Sequence, residues 1–499
     1  MTNRRRFFCN GILLTLAGLA VRGVGLFFSA FLGRTIGAEA LGLFTLIGTI
    51  YAFSVSFASS GISLTVTRLV SSAVGEGRIE KIRPTVRSAV IYALFFSSLA
   101  SFALGFGAKY FANEILSDVR AELPLRILSV SLIPIALSAV FSGYFIGVKR
   151  IRSSSSLQIL SQLVKIGITV VLVLKMAKES TVHAVVALCI STTLAELTSF
   201  LVAFLEFLFA KEEKGDGASY VVPVMKMALP LALSACVRSL LLTVEHVLIP
   251  KQLLKHGEGE GEALASYGVL HGMALPLLLY PMSPLSSFSS ILVPELSEAF
   301  ARGEKKRIKR IADEVMEATL FYAAPVSVLI YFFSEELGYI LYSSYSAGIY
   351  IAYLVPVIPI MYLDHVTDSV LKGIGEHVYS MWINISDSFL SIFLVWLLIP
   401  IFGIRGYALV IIIMEIYNFT FSYLRLKKRT GAAVRPIRSI VIPAATAFAA
   451  ALIADMLMSV SGNGAPTVFL VLKLIFAVCI YLALNFSVRF AKGKKLPCC

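Results

Sequence analysis

Charge is scarce in this chain. Only 15% of its 499 residues are Asp, Glu, Lys or Arg, 58% are hydrophobic, and the mean hydropathy is +0.84. Soluble domains carry about 25% charged residues, so a water-facing surface is excluded and the chain reads as a polytopic membrane protein. Sequence signatures of catalysis are also missing. There is no G-x-S-x-G, no G-x-x-x-x-G-K-[ST], no Gly-rich dinucleotide loop and no H-E-x-x-H. Support for serine hydrolysis, direct ATP use and zinc chemistry goes with them. No enzyme activity, metal or cofactor is expected, apart from a coupling ion such as Na+ or H+. Cysteine is sparse too, at Cys9, Cys189, Cys236, Cys479, Cys498 and Cys499, with neither a C-x-x-C nor a disulfide-framework spacing. The terminal pair follows KGKK but does not end in C-a-a-X.

Acids are fewer than bases, 30 against 44, for a formal charge of +14. Nucleic acid is not the expected partner, because Lys and Arg gather in alternate loops, the bias that places basic loops in the cytoplasm. The densest block, Arg302 to Arg310 (RGEKKRIKR), fits that role. The N-terminus, RRRFFCNGILLTLAGLAVRGVGLFF, lacks an A-x-A cleavage pattern and reads as a signal-anchor first helix.

Apolar runs fill the rest. Cut at about 20 residues per crossing, they yield roughly fourteen spans, and an even number puts both termini in the cytoplasm. Strands are excluded because an open sheet edge cannot satisfy its backbone in lipid and the runs are too long for alternating barrel strands. Pro230, Pro250, Pro276, Pro281, Pro284 and Pro294 crowd spans seven and eight, which predicts bends there. Gly143 and Gly147 form a G-x-x-x-G in span four, a close-packing signal. The HGEGEGE segment from His256 reads as a flexible external connector.

Features recur in order along the chain. Leu19-Ala20-Val21-Arg22-Gly23 echoes Ala235-Cys236-Val237-Arg238-Ser239, and Ser71-Ser72-Ala73 with Gly77 echoes Ser297-Glu298-Ala299 with Gly303. The first pair is 216 positions apart at its arginines and the second 226 at its glycines, so the later copy is about ten residues longer, as the HGEGEGE segment would make it. An internal repeat in a membrane chain points to a transporter. Four cations fall inside the spans, Arg22, Lys165, Arg238 and Lys473, and each costs about 2.5 to 3.5 kcal/mol at the bilayer centre if it faces lipid. Arg22 and Arg238 occupy equivalent repeat positions, so they are expected to line a shared wet cavity, where the guanidinium fork suits a pyrophosphate or carboxylate. Glu245, His271 and Lys165 are candidates for the same cavity, while Lys473 is expected to snorkel.

The intramembrane acids are Glu196, Glu245, Asp364, Asp368, Asp387 and Glu415. Asp364, Asp368 and Lys372 recur every four residues and share one helix face. That ladder reads either as a salt bridge between helices or, with Glu196, as a cation or proton coupling site. His246, His271 and His365 have no metal-ligand spacing and read as hydrogen-bonded cavity groups.

Five stretches carry a family resemblance: residues 17–44 (AGLAVRGVGLFFSAFLGRTIGAEALGLF), 69–78 (LVSSAVGEGR), 229–250 (LPLALSACVRSLLLTVEHVLIP), 291–304 (ILVPELSEAFARGE) and the 362–388 run. They resemble the stage V sporulation protein B type of polysaccharide exporter, in the multidrug/oligosaccharidyl-lipid/polysaccharide (MOP) superfamily with the lipid II flippases. The resemblance implies an all-α fold of two pseudo-symmetric six-helix bundles, residues 1–222 and 223–430, with an additional helix pair and basic cytoplasmic tail at 431–499. It implies alternating access in the bacterial cytoplasmic membrane and a lipid-linked glycan as cargo, with membrane lipids as the other partners and a monomer as the working unit. The second arginine of an early lipid II flippase pattern falls near Phe28 here, which leaves the cavity one arginine poorer. Two alternatives stay open: a cation-coupled multidrug exporter of the same superfamily, which calls for an acid-lined pocket, and a membrane glycosyltransferase or ligase, which calls for a large external loop with clustered acids or histidines.

Overall fold

The computed structural model describes residues 2–59, 61–148, 150–176, 180–209, 220–432, 440–459 and 466–490; side chains before Gly23 lie outside the description. In chain order the α-helices are α1 (Thr2–Ser59), α2 (Ile62–Gly75), α3 (Ile82–Tyr110), α4 (Glu122–Gly147), α5 (Ile151–Met176), α6 (Thr181–Leu208), α7 (Val221–His256), α8 (Glu260–Gly268), α9 (Leu275–Leu279), α10 (Ser283–Ala301), α11 (Lys305–Phe332), α12 (Ser334–Tyr342), α13 (Tyr345–Leu354), α14 (Ile358–Gly373), α15 (His377–Phe402), α16 (Ile404–Thr430), α17 (Ile442–Ser459) and α18 (Pro466–Phe490). No strand occurs among the described residues. Eleven helical stretches there are long and apolar enough to cross a membrane, and Ile442–Leu457 and Phe469–Leu484 are shorter apolar helices. The chain is thus an all-α, multi-pass membrane protein, as expected for a backbone that must satisfy its own hydrogen bonds in lipid.

Breaks fall where the sequence supplies a reason. The first and second expected spans run together in α1, with a kink at Gly37 (φ 79°, ψ 174°), backbone that only glycine adopts readily. Span eight is divided as the prolines predicted: α8 passes through a π-turn at Val269–Ala274, α9 and a 3-10 turn at Tyr280–Met282 before α10. Span seven is one continuous helix, α7, with Pro230 and Pro250 inside it. The G-x-x-x-G of α4 does pack closely. A Cβ on Gly143 would stand 2.5 Å from the Ser63 carbonyl oxygen, and one on Gly147 would stand 2.8 Å from Val70 Cβ.

The chain divides into two compact units, one of Met1–Arg34 with Val269–Cys499 and one of Thr35–Gly268. This is a division by proximity, whereas the expected bundles 1–222 and 223–430 are a division by sequence symmetry. The symmetry is visible in local geometry repeated 226 positions apart. Ser71 donates to the Gly147 carbonyl at 3.2 Å, and Ser297 donates to the Gly373 carbonyl at 3.0 Å. Gly77 and Gly303 have φ of 72° and 70°; Ser117 and Ser343, neither of them glycine, have φ of 58° and 53°. Asp118 and Ser344 follow as extended N-caps, φ −141° and −135°, each accepting from a backbone amide. Two unrelated segments would not share so many unusual backbone values in register.

Within the first unit, the core around α10, α11 and α14 is built by buried Leu292, Leu296, Ile308, Met316, Val366 and Val370. The C-terminal pair α17 and α18 attaches to α11 through Ala447, Ala450 and Tyr481 against Phe321 and Val328. Lys473 lies near the start of α18, where it meets two acids near helix ends. Its ammonium, on a side chain 13% exposed, pairs with Glu336 of α12 at 2.8 Å and Asp455 of α17 at 2.7 Å.

Candidate functional site

In the Thr35–Gly268 unit, α7 presents Arg238. The side chain is exposed and forms no ion pair among the described residues. One long helix places Glu245 two turns further on, half-buried and within electrostatic reach of Tyr267. His246 beside it shares a hydrogen bond of 2.9 Å with the Tyr267 hydroxyl, which ties α7 to α8. Arg22, the proposed partner of Arg238, has its side chain outside the described residues.

A second polar group of the same unit lies where α1, α4, α5 and α6 approach. Lys165 of α5 and Glu196 of α6 are half-buried and within electrostatic reach of one another, with Cys189 close to both Lys165 and Tyr51. The Tyr51 and Ser131 hydroxyls lie 2.6 Å apart. Lys165, the expected cavity cation, and Glu196, the expected ion-coupling acid, thus lie in one cluster, a lysine opposite a carboxylate across two adjacent helices.

The other unit holds the remaining candidates. His271, inside the π-turn, shares a 2.6 Å hydrogen bond with the Tyr407 hydroxyl of α16 and stacks on its ring at 5.2 Å. π-turns often mark functional positions, because the extra residue frees a carbonyl and re-aims a side chain. Asp364 and Asp368 do share one face of α14, but with different neighbours. Asp368 pairs with Lys372 one turn along, the salt-bridge reading, although within one helix rather than between two. Asp364 bonds to Ser422 of α16 and lies within electrostatic reach of Asp387 on α15 and Glu415 on α16. One Asp364 carboxylate oxygen and the Asn418 amide oxygen have no hydrogen-bond partner among the described residues.

Asp387 and Glu415 are intramembrane acids that no spacing in the sequence assigns to a site. The signal available was their occurrence in consecutive apolar spans after Asp364. Their convergence depends on helix packing that spacing does not encode. No three His, Cys, Asp or Glu side chains among the described residues are grouped closely enough to hold a metal ion.

Comparison with known proteins places this arrangement. Residues 7–300 match the polysaccharide biosynthesis protein family, and residues 257–397 match the MatE family. Stage V sporulation protein B of Bacillus subtilis (strain 168) is 24% identical over 420 residues, 82% of this chain and 81% of that protein. Lipid II flippase MurJ of the same organism is 20% identical over 448 residues, 84% and 82% of the two chains. Among solved structures, a lipid II flippase MurJ in an inward closed conformation superposes with a TM-score of 0.68 at 17% identity, covering 97% of this chain and all of that one. An inward-facing multidrug resistance MATE family transporter of the MOP superfamily gives 0.67 at 13% identity, covering 83% and 96%. The fold is theirs, and with more than half of its length matched, the chain belongs to the polysaccharide biosynthesis protein family.

Proposed function

We propose that the protein is a flippase, not an enzyme, and that it moves an anionic lipid-linked glycan precursor of the polyprenyl-pyrophosphate type from the inner to the outer leaflet by alternating access. The observation that carries this reading is Arg238, an exposed guanidinium without an ion-pair partner on a helix that is otherwise apolar enough to span a bilayer. A charge there is tolerated in water or beside an anion and not in hydrocarbon. Similarity to a lipid II flippase favours a lipid-linked cargo. Glu245, His271 and Lys165 are assigned to the head-group path alongside Arg22 and Arg238. Both termini face the cytoplasm, and the protein works as a monomer among membrane lipids.

The energy source proposed is the membrane potential, an ion gradient or both. An inside-negative potential expels an anion by about 2.3 kcal/mol per charge per 100 mV. The acids around Asp364 are the proposed entry point for Na+ or H+: neither Asp364 nor Glu415 is in an ion pair among the described residues, and converging carboxylates favour a bound proton or cation. The same acids, with the MatE match over residues 257–397, favour one second reading, a cation-coupled multidrug exporter.

Translocation of a lipid-linked precursor in reconstituted vesicles tests the proposal. Arg238→Ala and Arg22→Ala are each expected to lower the rate roughly 10- to 150-fold, the loss of one charge-assisted contact of about 1.5–3 kcal/mol. Unchanged rates in both variants would overturn the cavity assignment. Transport of cationic drugs without lipid transport would establish the second reading instead.

A further inference from the structure

Within the Thr35–Gly268 unit, α3 and α4 frame an open groove of about 560 Å³. Ser98, Ser101 and Gly105 put small residues on one stripe of α3, and α4 lies close against it. Ser101 donates to the Ser129 carbonyl at 2.8 Å, and a Cβ on Gly105 would stand 3.0 Å from the Ser129 Oγ. Small residues and hydroxyls therefore make the floor. Phe102 and Phe106, one turn apart with ring centroids 4.2 Å from each other, make an apolar wall. They are 62% and 78% exposed, and Phe95 and Leu99 continue the same exposed row. Large apolar side chains so exposed along a helix long enough to span a bilayer face hydrocarbon.

A charge opens on this groove. Arg126 is one turn into α4, about 6 Å from the helix start at Glu122. Its guanidinium bonds Glu122 at 2.6 Å, but the pair is lopsided: the arginine side chain is 55% exposed and the glutamate 25%, so the groove meets the cation. Lys109, exposed one turn beyond Phe106 on the same face of α3, adds a second. Ser98, towards the other end of the groove, lies about 18 Å along α3 from its end at Tyr110. The groove is thus cationic near the helix ends and apolar towards mid-membrane, where Ile133 joins the lining. Hydrocarbon alone would leave the guanidinium unsolvated, and water alone has no affinity for the aromatic wall. An amphiphile lying along the helices satisfies both parts.

We propose that this groove binds an anionic glycerophospholipid of the outer leaflet, its phosphate at Arg126 and one acyl chain along Phe102, Phe106 and Ile133. The leaflet follows from the orientation that puts the basic segment 78–87, at the opposite end of α3, in the cytoplasm. A zwitterionic head group would set its own cation beside Arg126 and Lys109, so a lipid of net negative charge is preferred. The site shares no residue with the cargo path and does not depend on what the cargo is.

Brominated lipids, which quench tryptophan on near contact, supply the test. In a chain carrying Trp382→Phe and Trp396→Phe, Val130→Trp places one reporter a turn beyond Arg126 on the exposed face of α4. The chain with its own two tryptophans, both exposed on α15, reports ordinary surrounding lipid. Each is reconstituted in phosphatidylcholine vesicles with an equal share of brominated phosphatidylglycerol or brominated phosphatidylcholine. At position 130 phosphatidylglycerol is expected to be preferred roughly 5- to 25-fold, about fivefold for each cation, with no such preference at the native tryptophans. Arg126→Gln is expected to remove about fivefold of it and Arg126→Lys to keep it. Ser98→Phe, which fills the deep end from an exposed position, is expected to reduce quenching by phosphatidylglycerol. No preference at position 130, an equal preference at the native tryptophans, or a preference that Arg126→Gln and Ser98→Phe leave intact would overturn the proposal. Because translocation is not the readout, failure of the flippase reading leaves this result standing.

Discussion

A single charged residue in a span asks for an explanation, and the described cations have different ones. Lys473 is neutralised by two acids, Lys165 faces Glu196 across a helix pair, and Arg238 is exposed. Only the last has the accessibility that an anionic cargo requires. Asp364 stands at the opposite pole, an acid among acids held by Ser422. If it admits the coupling ion, Asp364→Asn removes the charge but keeps the shape and the hydrogen bond. Translocation driven by an imposed Na+ or H+ gradient is then expected to fall roughly 5- to 150-fold, the range of a typical coupling free energy, while translocation driven by potential alone persists. Measuring both drives on the same vesicles checks this. Equal loss under both would make Asp364 a structural residue.

Elements carry the evidence for duplication. Gly147 packs on Val70 and Gly373 on Leu296, each at 2.8 Å from the missing Cβ to the neighbour's Cβ, so the two sites are repeat images. Gly147→Ala and Gly373→Ala are expected to cost similar amounts, about 1–3 kcal/mol each for overpacking a tight helix contact, read as thermal unfolding of the purified protein in detergent. A second element-scale prediction concerns the C-terminal pair. Lys473→Met leaves Glu336 and Asp455 near one another without their cation. A loss of roughly 1–3 kcal/mol is expected, discounted from a fully buried pair because both acids are partly exposed. Adding Glu336→Gln and Asp455→Asn is expected to recover most of it.

These elements also show what the sequence could and could not disclose. Span positions and the broken eighth helix were legible, because hydropathy and proline act locally. Part of the repeat was legible in matched words such as those ending at Gly77 and Gly303. The partner of Lys473 was not, since Glu336 lies 137 positions away and helix–helix contact leaves no spacing signal. The same holds for the approach of Asp364 to Glu415 and of Lys165 to Glu196. A proline removes one hydrogen bond without obliging the helix to stop, and α7 runs on through Pro230 and Pro250.

At the scale of the whole molecule, the proposed export of an anionic cargo raises the question of what drives it outward. The net charge of +14 is expected to orient the chain in the membrane. On the proposed reading, work comes from moving the cargo's own charge through the field. A potential of 100 mV, inside negative, contributes about 2.3 kcal/mol per elementary charge, which is roughly a fiftyfold bias per charge in the inner-to-outer distribution. A pyrophosphate-linked lipid, carrying more than one negative charge, gains correspondingly more. Vesicles holding the protein in one orientation, with a potassium gradient set by valinomycin, give control of the sign. An inside-negative potential is expected to speed export and raise its end point, an inside-positive one to slow export and lower it, and collapse of the potential to leave only the ion-gradient component that Asp364→Asn removes. Export that ignores the sign of the potential would mean that the protein neutralises the head group during passage, with the net charge of the moving complex near zero.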